Sequence, residues 1–294
     1  MNYNRRKFIK QTACITSGFA LASLAGNGLF GTDLFEEKKK LKAFGLQLYT
    51  LRNDLPKDPK AVLKQVASFG YKQIESYEGK DGMFWGMGNT AFKNYMVELG
   101  MTIVSSHCNI KKDFERKASE AAAIGMKYLL CPGIGTQKKL DDYKKFADEF
   151  NECGEICRKE GIRFGYHNHD YSFKEIEGQL PQDVMMKNTN PDTVDFEMDI
   201  YWVVVAGHDP IEWFKKHPNR FTTCHVKDRA KNPAPDNGKN STDLGTGSID
   251  FSKILKKGSK LGLQYFIVEQ ESYPNGTPLQ AAKVNAVYMK KLKV

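Results

Sequence analysis

The longest apolar, uncharged run in this chain, about Ala13 to Ala25, falls short of the roughly 20 residues that a membrane-spanning helix needs. No Gly-x-Gly-x-x-Gly follows a strand-like segment. The glycines of "LGTGSIDF" (244–251) precede a helix far along the chain, so a dinucleotide-binding turn has no place to form. No basic stripe with interleaved aromatics is present, which removes nucleic acid as a partner. No strong internal repeat marks a solenoid or a propeller. Cysteine is too scarce for a disulfide scaffold: of six, Cys14 lies in the N-terminal apolar run, and an odd five remain. Cys108, Cys131 and Cys224 fall on strand-like runs, and Cys153 and Cys157 lie four apart on a helix-like one, so buried free thiols are expected. Histidine is equally rare, six in 294 residues, which makes its placement informative.

What is there begins with a basic leader. Residues 1–30 carry Arg5-Arg6, then Phe8, Ile9 and Lys10, then the short apolar run. This resembles a twin-arginine export signal and implies a periplasmic location. Its removal takes away Arg5, Arg6, Lys7 and Lys10 and brings the formal charge from +9 to about +5. Residues 31–42, which include "FEEKKKLK", are expected as a solvated tether. Residues 43–294 are expected as one domain with no stable membrane span, its oligomeric state left open.

Within that domain, strand-like runs alternate with helix-like ones. The strand-like runs are 43–50, 71–77, 101–107, 126–133, 162–169, 193–199, 220–228 and 264–270. Helix-like segments follow each of them, several stopped by glycine, as at Gly70, Gly100 and Gly125. Apolar strands with helices between them mean parallel βα units. Eight units at this length fit a (β/α)8 TIM barrel better than a doubly wound sheet.

A barrel of this kind works at the C-terminal ends of its strands. Read that way, the second run ends at Glu75, the third at His107, the fifth at His167, the sixth at Asp199, the seventh at His225 and the eighth at Glu269. His167, Asp199, His225 and Glu269 come from consecutive units and converge on one side of the mouth. Two imidazoles and two carboxylates suit one divalent metal ion, Mn, Zn, Fe or Co. His169, in "FGYHNHD", is expected as a loop or outer ligand-supporting group. Glu75 and His107 are candidates for substrate contacts or a second acid/base. Lys227, Trp202, His169 and Tyr49 are candidates for substrate binding. Trp85 is expected either to stack on a substrate ring or to pack in the core. His208 is expected to cap the next helix, and His217 to lie on the surface. The segment 81–89, "DGMFWGMGN", is expected as a lid or as a packed loop.

The domain resembles the xylose isomerase-like TIM barrels, the sugar isomerase/epimerase superfamily that also includes endonuclease IV-type enzymes. The resemblance spans about residues 43–293. It rests on "YKQIES", "DIYW" followed by "AGHDP", "HVKD", "LGTGSIDF" and "FIVEQE". It implies a metal held by Glu, Asp, His and Glu from strands five to eight, matched here by Asp199, His225 and Glu269. His167 stands where the family places its first glutamate. Trp202 stands where many members have a histidine, which removes a ligand needed for a multi-metal nuclease.

The family's paired glutamates move a proton on and off the carbon beside a metal-bound carbonyl. Only Glu269 of that pair is present, as both ligand and base. The resemblance therefore implies a metal-dependent isomerase or epimerase acting on a keto-sugar or glycoside. One base and a metal also suit a 3-keto-glycoside lyase or hydrolase, and a non-catalytic exported sugar-binding barrel is the third reading. A small carbohydrate is the partner in all three.

Overall fold

A computed structural model describes residues 40–235 and 240–294. The expected signal and most of the expected tether lie outside the described residues. Eight strands run parallel and close on themselves: β1 (Gly45–Gln47), β2 (Gln73–Tyr77), β3 (Thr102–His107), β4 (Tyr128–Cys131), β5 (Arg163–His167), β6 (Val194–Asp199), β7 (Phe221–Val226) and β10 (Tyr265–Val268). Two short strands, β8 (Asp228–Arg229) and β9 (Ser241–Thr242), form an antiparallel pair outside the barrel. The fold is the (β/α)8 barrel that the alternation predicts. Among the described residues, no helix is long and apolar enough to cross a membrane.

Local chemistry sets the helices. In α1 (Pro59–Phe69), the Asp58 side chain accepts a hydrogen bond from the Ala61 amide at 2.9 Å and Pro59 starts the first turn. Gly70 ends the helix at φ 100°, which a side chain would resist. The sixth unit departs from the expected pattern: two helices, α6 (Ile200–Val205) and α7 (Pro210–Lys216), replace one. Asp209 caps α7 by accepting from the Ile211 amide at 2.8 Å. His208 is not the cap; its Nε2 donates to the Phe173 carbonyl at 3.0 Å. Nor is His217 a free surface group, since it stacks on Trp213 and bonds Asp183 at 3.0 Å.

Residues of neighbouring strands in register face the same side of a sheet. His107 pairs with Leu130, Leu130 with Gly165, His167 with Glu197, and Asp199 with His225. Gly165 is small because an added Cβ would lie 2.5 Å from Leu130. Gly45 makes the same room for Ile267. An apolar layer that includes Leu130 and Ile267 thus lies in the lumen beneath the ionisable side chains, with the Arg163–Asp195 ion pair further down. The main apolar core lies outside the strands, between sheet and helices. Cys108, Cys131, Cys153, Cys157 and Cys224 are buried and free, as expected. In the 81–89 segment Met83, Phe84 and Trp85 are buried, and Trp85 donates to Ser76 Oγ at 3.2 Å, so this is a packed loop.

Candidate active site

Three of the four proposed ligands come from strand ends, and Glu269 follows β10 directly. Each is placed by a different local device. Asp199 closes β6 and also caps the next helix, its Oδ1 accepting from the Trp202 amide at 3.2 Å. Asn168 ties the ends of β5 and β6 together, accepting from the Asp199 amide at 3.1 Å. His167 donates from Nδ1 to the Pro132 carbonyl at 3.0 Å, which leaves the Nε2 lone pair facing inward. That atom lies 3.1 Å from His225 Nδ1 and 3.4 Å from Asp199 Oδ2. His225 Nδ1 also lies 3.1 Å from Glu269 Oε2. All four side chains offer a ligand atom within 4.8 Å of one another. The site that spacing predicts is therefore assembled in space.

Beneath it lies a second cluster. His225 Nε2 is 2.7 Å from Glu75 Oε1 and 3.3 Å from Glu197 Oε2. His107 Nε2 is 2.8 Å from Glu197 Oε2 and 3.2 Å from Glu75 Oε1. Gln47 Nε2 and Ser105 Oγ also donate to Glu75, at 2.7 and 2.6 Å. Two ring nitrogens and two carboxylates thus form a square. A proton on His225 Nε2 is held there, so Nδ1 is the atom left to meet a cation. Glu75 is fully buried and does not line the cavity, so it supports His225 rather than touching substrate as the sequence suggested. His107 reaches the cavity wall.

Lys227 is buried among three carboxylates, 2.7 Å from Asp199, 2.9 Å from Glu269 and 2.8 Å from Glu271. Burial opposes its charge, but these neighbours outweigh burial and hold the ammonium well above its usual range. Burial would raise the Asp199 and Glu269 carboxyls. Lys227 with the nearby histidines instead holds both well below the usual carboxylate range. Burial lowers His107, yet Glu75 and Glu197 hold it up at about 9. Burial, then His167 and Lys227, bring His169 down to about 3, so its ring is neutral at pH 7.

Over these groups lies a cavity of about 760 Å³. His107, His167, His169, Lys227, Trp202, Glu269 and Tyr49 all reach its wall, whereas Trp85 does not. Tyr49 is 40% exposed at its rim. Sequence reading passed over Glu197, Glu271 and Gln47. Glu197 had a signal: "DFEMD" places acids at alternate positions 195, 197 and 199, one face of a strand.

The family model described as xylose isomerase-like TIM barrel matches residues 63–292. A crystal structure from Parabacteroides distasonis ATCC 8503, described as a sugar phosphate isomerase/epimerase, is 31% identical. It superposes with a TM-score of 0.75 over 85% of this chain and 98% of that one. The IOLI protein, described with a binding zinc atom, is 16% identical and shares the fold, with a TM-score of 0.69 over 83% of this chain and 95% of that one. The inosose dehydratase of Lacticaseibacillus casei is 26% identical over 147 residues, 46% of this chain and 49% of that one. The chain thus spans about half the length of the first curated relatives it matches. With a matched model over most of its length and the barrel closed as that model describes, the chain belongs to the xylose isomerase-like TIM barrel family.

Proposed function

We propose that the chain is a metal-dependent lyase that acts on a keto-sugar. The observation that carries this is the convergence of His167, Asp199, His225 and Glu269, of which His167 and Glu269 reach the cavity wall while Asp199 and His225 are buried behind it. Two imidazoles and two carboxylates fit Mn, Zn, Fe or Co. The charges fit as well, because a divalent cation and the Lys227 ammonium together balance Asp199, Glu269 and Glu271. When bound, such an ion supplies Lewis acidity that polarises a ketone. The zinc described for the IOLI protein supports this reading.

The chain's own residues supply the proton transfer. Glu269 is ionised and takes the proton from the carbon beside the ketone. A carboxylate held so low is a weak base, so that C–H must be acidified, which polarisation of the ketone achieves. The C–H electron pair becomes a carbon–carbon double bond. The bond from the next carbon to its oxygen substituent breaks, and that oxygen leaves with the pair and regains the proton from Glu269. Lys227 holds Glu269 in place throughout, and neutral His169 is placed to bond a sugar hydroxyl. The carboxylates on the cavity wall are Glu78, Glu269 and Glu271, and the His167 side presents imidazoles where the family resemblance implies a second glutamate, so a symmetric pair of carboxylate bases is not what this wall offers. The dehydratase name of the curated relatives supports elimination. The Parabacteroides description supports isomerisation as the second reading, in which Glu269 returns the proton to carbon. A barrel that only binds sugar has no use for so many buried charges, which are costly to keep.

Incubation of a 3-keto-glycoside in D₂O separates these outcomes. Release of the aglycone, dependent on the adjacent proton, is expected. Deuterium entering unreacted ketose with no release overturns elimination in favour of isomerisation. Glu269→Gln keeps a ligating oxygen but accepts no proton, so kcat is expected to fall about 10²–10⁴-fold with metal still bound. An unchanged rate rejects Glu269 as base in both readings.

A further inference from the structure

The cavity is much larger than one sugar ring requires. Its 760 Å³ lies in the upper part of the range of roughly 300–1,000 Å³ that holds drug-sized ligands. Its walls are of two kinds. The inner end carries the ionisable cluster. The partly exposed outer wall carries Tyr49, Tyr77, Ile110, Ile134 and Phe146, with Glu78, Asn109 and Lys111 among them.

The outer end is built to stay rigid. Tyr49 meets Tyr77 edge-on at 5.2 Å, and Tyr77 meets Trp85 edge-on at 4.9 Å. Arg52 lies over the Tyr49 ring at 4.7 Å, and three acceptors fix it: the Tyr49 carbonyl at 3.1 Å, Tyr273 Oη at 3.1 Å and the Glu271 carbonyl at 3.0 Å. A rim tyrosine 40% exposed but pinned from behind is a stacking surface held ready.

The cations of the wall are already paired. Among the described residues, the lysines on the wall are Lys227, clamped by three carboxylates, and Lys111, paired with Glu149. The amides of Ile134 and Gly135 are already bonded to Tyr171 Oη, at 3.0 and 3.2 Å. A phosphate would meet no unpaired ammonium there.

We propose that this outer half is a subsite for an uncharged aromatic substituent on the reacting sugar ring, so the substrate class is an aryl keto-glycoside rather than a sugar phosphate. The proposal rests on the reading above only in placing the reacting ring at the inner end.

Binding to the whole protein tests it without turnover. The probes are phenyl β-glucoside, methyl β-glucoside, glucose and glucose 6-phosphate, none of which carries the ketone. Titration calorimetry is expected to give phenyl β-glucoside about tenfold tighter than the methyl glycoside, with no gain for glucose 6-phosphate over glucose. Tyr49→Ala combined with Phe146→Ala is expected to bring the phenyl-to-methyl ratio towards one, and a melting curve confirms that the variant is folded. Equal phenyl and methyl affinities in the unmodified protein, or tighter binding of the phosphate than of glucose, overturn the subsite. If phenyl preference holds but a 3-keto aryl glucoside releases no phenol, the subsite stands and the elimination reading fails.

Discussion

At the scale of single residues, the site is a set of side chains that hold one another. His225 is the hinge of that set, because its two ring nitrogens face different clusters. Nε2 meets Glu75 and Glu197 below, and Nδ1 meets His167 and Glu269 above. Removing the lower acceptors frees the ring to exchange its tautomer and turn Nδ1 away. Glu197→Gln should therefore weaken divalent-metal binding about 10–100-fold, the usual effect of losing an outer partner, in a titration with Mn or Zn. Unchanged affinity would assign Glu197 to structure alone. The four proposed ligands were legible in the sequence as strand-end residues, because packing alone gives an apolar strand no reason to end in an ionisable residue. Glu197 was passed over although the alternating acids of "DFEMD" mark one face, because it sits one pleat further down, inside its strand rather than at the end. Glu271 was hidden for a different reason: it follows the last barrel strand, where an acid looks like plain loop polarity.

At the scale of elements, glycine stops and proline starts made the βα alternation readable. The exception was the sixth unit. "IYWVVV" is apolar throughout, and periodicity cannot separate such a run from a buried strand. It is helix α6 because Asp199 caps it. Two strands run on past an ionisable residue, β2 past Glu75 to Tyr77 and β7 past His225 to Val226, because those side chains face the lumen rather than ending the strand. The loop after β9 depends on one acid. Asp228 accepts from the amides of Gly245 at 2.9 Å, Gly247 at 3.0 Å and Ile249 at 3.2 Å. A Cβ on Gly247 would lie 2.2 Å from Asp228 Oδ1 and 2.3 Å from the Arg229 carbonyl. Gly247→Ala should cost about 1–3 kcal/mol, as overpacking does. Urea unfolding reads the loss, and an unchanged midpoint would mean that the loop detaches freely.

At the scale of the whole molecule, the buried charges make stability depend on pH. His107 is held up at about 9 by Glu75 and Glu197 against burial, and an unfolded histidine titrates near ~6.5. The stabilisation it supplies is complete below ~6.5 and is lost as pH rises through about 9. The melting temperature of metal-free protein should fall over that window, and His107→Asn should flatten the fall. A profile equally steep in the variant would place the titrating group elsewhere. The Lys227 clamp has a consequence for biogenesis. Many small metalloproteins cannot close until their ion arrives. Here an ammonium already stands among Asp199, Glu269 and Glu271, so a nascent chain brings its own counterion and can finish the barrel before any loading step. Cells grown with a chelator should yield as much folded protein as cells without it, and that harvest should gain its activity on the bench when the ion is added back.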